Sequence, residues 1–241
     1  MAPRPLLPSA VRPLAAVLVA VCVTVTALLG AWLAHQTEPG RLDTAVDDWV
    51  RVAIGGHPAI LNRLVQLGDP IEVTAMTTAL VLACLATRRW RGAVLVAVSV
   101  PAAAALTEHV LKPLIDRTSH GPPEFPSGHS TCTFAIAVAC VILLAGPLRP
   151  RLPAGVRMLL VVAALLAAAL VAAALVALRF HVFTDTVGGA AVGTAVVLAT
   201  ALIVDRLSPG GQAGQPSAGQ SSRAHAGAAT SAVGDLRAPP T

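Results

Sequence analysis

Two stretches of this 241-residue chain, residues 14–34 and 159–178, contain no charged side chain at all. A helix needs about 20 apolar residues to cross the hydrocarbon core of a bilayer. A helix that is apolar on every side has no face to offer water, so an amphipathic bundle in solution is excluded. Composition agrees: 55% of the residues are hydrophobic, only 12% are charged, and mean hydropathy is +0.74, whereas a soluble domain is about a quarter charged. Six spans of about 20 residues would use roughly half the chain and leave no room for a large soluble domain. The net charge of +5 raises the question of nucleic acid. The basic residues fall mainly at the ends of apolar runs, however, so no nucleic-acid partner is expected. Cys22, Cys84, Cys132 and Cys140 all lie within apolar runs and lack CxxC spacing, which makes them small packing residues.

Hydropathy predicts an all-α polytopic membrane protein with spans at about 13–35, 70–87, 92–111, 129–147, 156–178 and 186–204. The first apolar run is longer than a signal-peptide core and no clean A-x-A site follows it, so it is expected to remain as a span. Between the first two spans the chain is too polar to cross. There Val46, Trp49, Val50, Ala53 and Ile54 recur at near-helical spacing beside Asp43, Asp47 and Asp48, predicting one or two short helices at the membrane surface. From Ser208 onward the chain is rich in Gly, Ser, Ala, Pro and Gln, the composition of a disordered tail. The expected organisation is thus an N-terminal segment 1–12, a six-span unit 13–205 and a tail 206–241. An arrangement with both termini cytoplasmic puts 11 of the 17 basic residues inside, with only Asp205 and Asp235 as acids there. The tight clusters Arg88, Arg89, Arg91 and Arg149, Arg151, Arg157 fall in short inner loops, where the positive-inside rule counts most. Trp32 and Trp90 fall at opposite ends of their spans, as interfacial anchors do.

This topology brings distant polar residues to one membrane face. The third span ends at Lys112, the fourth begins near His129, the fifth ends near Arg179 and the sixth begins just after Asp185. Lys112, Arg117, Ser127, His129, Arg179, His181 and Asp185 therefore share one depth. Each alone is an ordinary interfacial residue, but polar groups converging at one level of a membrane protein mark a candidate site. Lys112 is the single lysine of a chain with 16 arginines. Pro126-Ser127-Gly128-His129 opens a span, where unpaired backbone N–H groups and the positive end of the helix dipole, with the Ser127 hydroxyl, suit an anion. Ser127 as a plain N-cap is the simpler alternative. His181 and Asp185 are four residues apart and would share a face of a helix, with the carboxylate fixing the imidazole tautomer. The alternative is that Asp185 only caps the last span.

Lys112…Arg117, Pro126-Ser127-Gly128-His129 and His181-x3-Asp185 together resemble the signature of the type 2 phosphatidic acid phosphatase (PAP2) superfamily, membrane phosphatases related to vanadium haloperoxidases. The resemblance spans about residues 40–205. It implies a metal-independent lipid phosphatase with no cofactor, working through a phosphohistidine on His181, oriented by Asp185. His129 would protonate the leaving oxygen, and Lys112, Arg117, Ser127 and Gly128 would hold the phosphoryl oxygens. The implied substrate is a lipid phosphate or diphosphate of the phosphatidate, phosphatidylglycerol phosphate or polyprenyl diphosphate class. The implied location is the outer face of the plasma membrane. Two departures stand out. The family's first motif reads K-x6-R-P, and that spacing lands on Ser119-His120, so Arg117 matches only an earlier arginine of some variants and is followed by Thr118. His120 could be a third contact to phosphate, but a solvated loop histidine is the favoured reading. The third motif's Ser-Arg positions are Ala174 and Leu175. Arg179, four residues later, would keep that face if the segment is helical and so replace the missing arginine. Phosphate transfer to an alcohol, non-catalytic binding of a lipid phosphate, and a zinc site at His129, His181 and Asp185 remain as other readings.

Overall fold

The computed structural model describes residues 5–118, 122–146 and 152–207, which contain helices and no strand. Ser119, His120, Arg149, Arg151 and the tail from Ser208, all invoked above, lie outside the described residues. The helices are α1 (Arg12–Leu33), α2 (Arg41–Ile54), α3 (Pro58–Gln66), α4 (Pro70–Ala86), α5 (Trp90–Leu106), a π-helical turn (Thr107–Leu111), α6 (Lys112–Ile115), α7 (Gly128–Ala145), α8 (Ala154–Ala177) and α9 (Phe183–Arg206). Five segments are long and apolar enough to cross a membrane: α1, the run Trp90–Ile115, α7, α8 and α9. The pair α3 and α4, bent by 53°, makes a sixth if taken as one span. All six expected spans are therefore helices, and the protein is a multi-pass membrane protein. The polar stretch after α1 forms α2 and α3 as expected, although α3 leads into α4 through the bend.

Helices α7 and α9 form the centre. Gly189 and Gly193, one turn apart on α9, face α7 so closely that a side chain on either would collide with backbone of α7, at the Ser127 carbonyl and the Thr131 carbonyl respectively. Small residues at this spacing let helices pack backbone to backbone without a hydrophobic driving force between them. Leu95, Val96, Val100, Ala135, Ala139, Val197 and Ala201 fill the core where α5, α7 and α9 meet. A smaller apolar cluster, Leu61, Val65, Val171, Ala174 and Leu175, joins α3 to α8.

Two buried aspartates mark the two ends of α9. Asp205 accepts from the Leu6 and Leu7 amides at 2.8 and 2.9 Å, from Arg12 at 3.4 Å and from Arg91 at 2.5 Å. A carboxylate at a helix C-terminus opposes the helix dipole, and these four donors offset that cost. Asp185, at the other end, belongs to the candidate site.

Candidate active site

The N-terminus of α9 is capped from outside its own helix. Its first backbone N–H groups have no intrahelical partner. The Phe183 amide donates to Asp47 Oδ1 at 3.0 Å, and the Thr184 amide to Asp43 Oδ1 at 2.9 Å. Asp43 and Asp47 sit one turn apart on α2, both buried, so α2 presents an acidic face to the positive end of α9. Arg117 lies beneath, with its side chain fully buried. It donates to Asp43 Oδ2, Asp185 Oδ1 and the Thr184 hydroxyl, each at 2.7 Å. The guanidinium thus bridges two carboxylates, the kind of pairing that makes a buried charge tolerable. Its side-chain partners in the structure are two carboxylates and a hydroxyl.

His181 Nδ1 stands 3.5 Å from Asp185 Oδ2, at ion-pair distance. The two groups lie close together, but Nδ1 makes no hydrogen bond to the carboxylate, and the geometry differs from the expectation. α9 starts at Phe183, so His181 precedes the helix, and Asp185, three residues past the cap, reaches back to it. The Ser127 amide donates to the Asp185 carbonyl at 3.0 Å, tying the Pro126–His129 motif directly to the His181–Asp185 segment. The Ser127 hydroxyl, fully buried, caps α7 by accepting from the Ser130 amide at 3.4 Å. Glu124, also buried, joins this group: ligand atoms of Glu124, His181 and Asp185 lie within 4.8 Å of one another. Such a donor set resembles a cation site, with Glu124 in the position expected of His129. Arg117 already places a positive charge on Asp185 there.

His129, Gly128 and Lys112 form a second group. His129 Nε2 is 2.9 Å from Asp69 Oδ1. Lys112 Nζ pairs with Glu108 at 2.8 Å; the π turn places both at the end of the third span, and π turns are frequent at functional sites. The Glu108 carboxylate lies against Gly128, where an added Cβ would come within 2.5 Å of Oε1. The groups meet at Ser127–Gly128, yet their histidines open onto different cavities. His181 borders a polar cavity of about 150 Å³ with Asp47, Arg51 and Arg179. His129 borders one of about 790 Å³ that runs between α4 and α5 past Val73, Thr77, Val81 and Val100, with Glu108 and Gly128 at its mouth.

The helical argument for Arg179 is corrected. α8 ends at Ala177, and Arg179 takes a left-handed conformation (φ 63°) just beyond it. The Phe180 amide bonds to the Leu175 carbonyl and the Arg179 amide to the Val176 carbonyl, the hydrogen bonds of a Schellman stop. Arg179 therefore does not continue the face of Leu175. That face is apolar: Ala174 and Leu175 are buried against Leu61 and Val65, so an arginine at 175 would lie in the α3–α8 core. Arg179 nevertheless borders the cavity of His181.

Asp69, Glu108 and Glu124 were not singled out from sequence, and Asp43 and Asp47 were named only as acids beside an amphipathic segment. Asp43 and Asp47 carried the clearest signal, since two acids one turn apart on an amphipathic segment mark a polar face. Asp69 precedes Pro70 and reads as an ordinary N-cap.

Residues 105–209 match the family model described as the PAP2 superfamily. No curated protein matches the chain. The crystal structure of a transmembrane PAP2 type phosphatidylglycerolphosphate phosphatase from Bacillus subtilis has the same fold, with a TM-score of 0.62 and 18% identity, covering 78% of this chain and 96% of that one. The motif residues of three separate segments gather at the α7 and α9 N-termini, and the match to the PAP2 superfamily model, over residues 105–209, runs through all of them.

Proposed function

We propose that this protein is a phosphatase of the plasma membrane that removes phosphate from a lipid phosphate or diphosphate, without a metal, at the outer membrane face. Both termini are then cytoplasmic. The observation that carries the reading is the His181–Asp185 pair, held by Arg117 on one side and joined to the Pro126–His129 motif through the Ser127 amide. With Nδ1 toward Asp185, the other ring nitrogen of His181 attacks phosphorus. The N–P bond forms as the bond to the leaving oxygen breaks, and His129 supplies a proton to that oxygen, releasing the lipid alcohol or lipid phosphate. Water then attacks the phosphohistidine, His129 takes its proton, the N–P bond breaks, and inorganic phosphate leaves. Asp185 and Arg117 keep the imidazole oriented as it becomes positive.

Phosphoryl transfer spreads negative charge over three equatorial oxygens, and fixed cations and N–H donors stabilise it most. Lys112, the Gly128 amide and Arg179 are the groups assigned to that task, with Arg51 joining Arg179 around the cavity of His181. Arg117 and Ser127 serve it by holding Asp185 and the start of α7. The substrate class includes phosphatidylglycerol phosphate, named for the Bacillus subtilis neighbour, together with phosphatidate and polyprenyl diphosphate. The test is phosphate release by purified protein from a panel of these lipids in the presence of chelator. Wild-type protein is expected to turn over at least one, and His181→Ala to lose turnover on all. Undiminished release by His181→Ala, or release abolished by chelator, overturns the mechanism.

A further inference from the structure

The Asp69–His129 contact has no counterpart in the motifs. Asp69 occupies the N-cap position of α4, the place where an aspartate ordinarily accepts from its own helix's free amides. It makes no such bond. Its carboxylate turns instead to another helix, where Oδ1 stands 2.9 Å from His129 Nε2. Both side chains are part-exposed, at 43% and 30%, so the pair does not lie in a sealed core. His129, in turn, faces the cavity between α4 and α5, with Asp69 bonded to one side of its ring.

We infer that Asp69 is a positioning residue for the general acid His129, forming a second His–Asp pair that serves the leaving group as His181–Asp185 serves the nucleophile. The inference rests on the phosphatase reading above. Its physical basis is the two-sided chemistry of imidazole. A carboxylate accepting the Nε2 proton fixes the ring orientation and stabilises the imidazolium, so that Nδ1–H is presented to the leaving oxygen. When Nδ1 gives up its proton, the ring becomes neutral and the Nε2–H···Asp69 bond remains, so no proton passes to Asp69. The cavity that His129 borders is apolar along most of its length, which suits a lipid alcohol departing on that side. Phosphate remains with His181.

A positioning role predicts a selective loss. Removing the charge of Asp69 matters where the leaving oxygen needs a proton and little where the leaving group is already acidic. The experiment compares an alkyl lipid phosphate with an aryl phosphate, using wild type, Asp69→Asn, Asp69→Glu and His181→Ala. The Asp69→Asn variant keeps the side chain's shape and leaves α4 no less capped than before. Expected results are a kcat lower by about 100-fold on the alkyl substrate, a change of only a few-fold on the aryl substrate, and an unchanged KM on both. Asp69→Glu is expected to recover part of the alkyl rate. An equal loss on both substrates, or none on either, overturns the inference, as does Asp69→Glu behaving like Asp69→Asn. Loss of activity in His181→Ala is the separate check on the phosphatase reading. If that variant stays active, the reading fails independently of Asp69.

Discussion

At the scale of single residues, the acids around the α9 N-terminus carry different loads. The Asp47 carboxyl is pushed up to about 6 by burial and by the negative charges of Asp43 and Asp185, against the opposing pull of the Phe183 amide and Arg51. Its ordinary value is 3.8. Between those two values the folded protein holds a proton that the unfolded chain has lost. Stability contributed by this group is therefore fully present below about pH 4, falls as pH rises toward 6, and stays low above it. Asp47→Asn cannot ionise but still accepts from the Phe183 amide. The variant is expected to melt above wild type at pH 7.5, by about 1–3 kcal/mol, with the gap closing by pH 4; thermal midpoints across that range check it. A gap that is constant with pH, or reversed at pH 7.5, contradicts the assignment. His181, Asp185, His129 and Ser127 stand out in the sequence as candidates because their spacing is local and their chemistry distinctive. The contacts of Asp43 and Asp69 are not legible there, since each acts on a residue far away in the chain (141 positions for Asp43 and Thr184, 60 for Asp69 and His129). Local spacing says nothing about such a partner.

At the scale of elements, the interfacial helix α2 behaves as a detached cap for α9. Sequence showed its amphipathicity, and so predicted a surface helix, but not which of its faces meets protein. The structure assigns the acidic turn, Asp43 and Asp47, to the protein side, and leaves Trp49 and Val52 exposed at 71% and 88%. The Arg179 correction has a similar cause: hydropathy put the end of the span at about 178, one residue from Ala177, but a left-handed stop made by an arginine has no glycine to announce it. Asp43 also holds Arg117, so its loss is expected to be costly in two ways. Asp43→Ala leaves the Thr184 amide uncapped and a buried guanidinium with one carboxylate fewer, a loss of about 3–5 kcal/mol for breaking a buried pair. Asp43→Asn retains an acceptor and is expected to lose less. Unfolding midpoints of the two variants in detergent give the comparison, and an Asp43→Ala protein as stable as wild type would show that α2 contributes nothing to the α9 terminus.

At the scale of the molecule, α9 links two polar centres. Asp185 and Asp205 are 20 residues apart on one helix, which at 1.5 Å per residue separates them by about 30 Å, the thickness of a bilayer core. Asp205 gathers the N-terminal segment, α1 and α5 at one end; Asp185 gathers α2, Arg117 and the start of α7 at the other. The end that holds Asp205 is also the end of Arg88, Arg89 and Arg91, the basic cluster expected on the cytoplasmic side. On the topology proposed above, the candidate site then faces outward. Labelling decides this directly. The native cysteines Cys22, Cys84, Cys132 and Cys140 all lie in the membrane-spanning helices, so a background with alanine at these positions leaves single introduced thiols to report. Val52→Cys on α2 is expected to react with a membrane-impermeant maleimide on intact cells. Arg206→Cys, at the far end of α9, is expected to react only after the membrane is opened. The reverse pattern would turn the molecule over and put phosphate release in the cytosol, while labelling of both thiols on intact cells would mean that α9 does not separate the two sides.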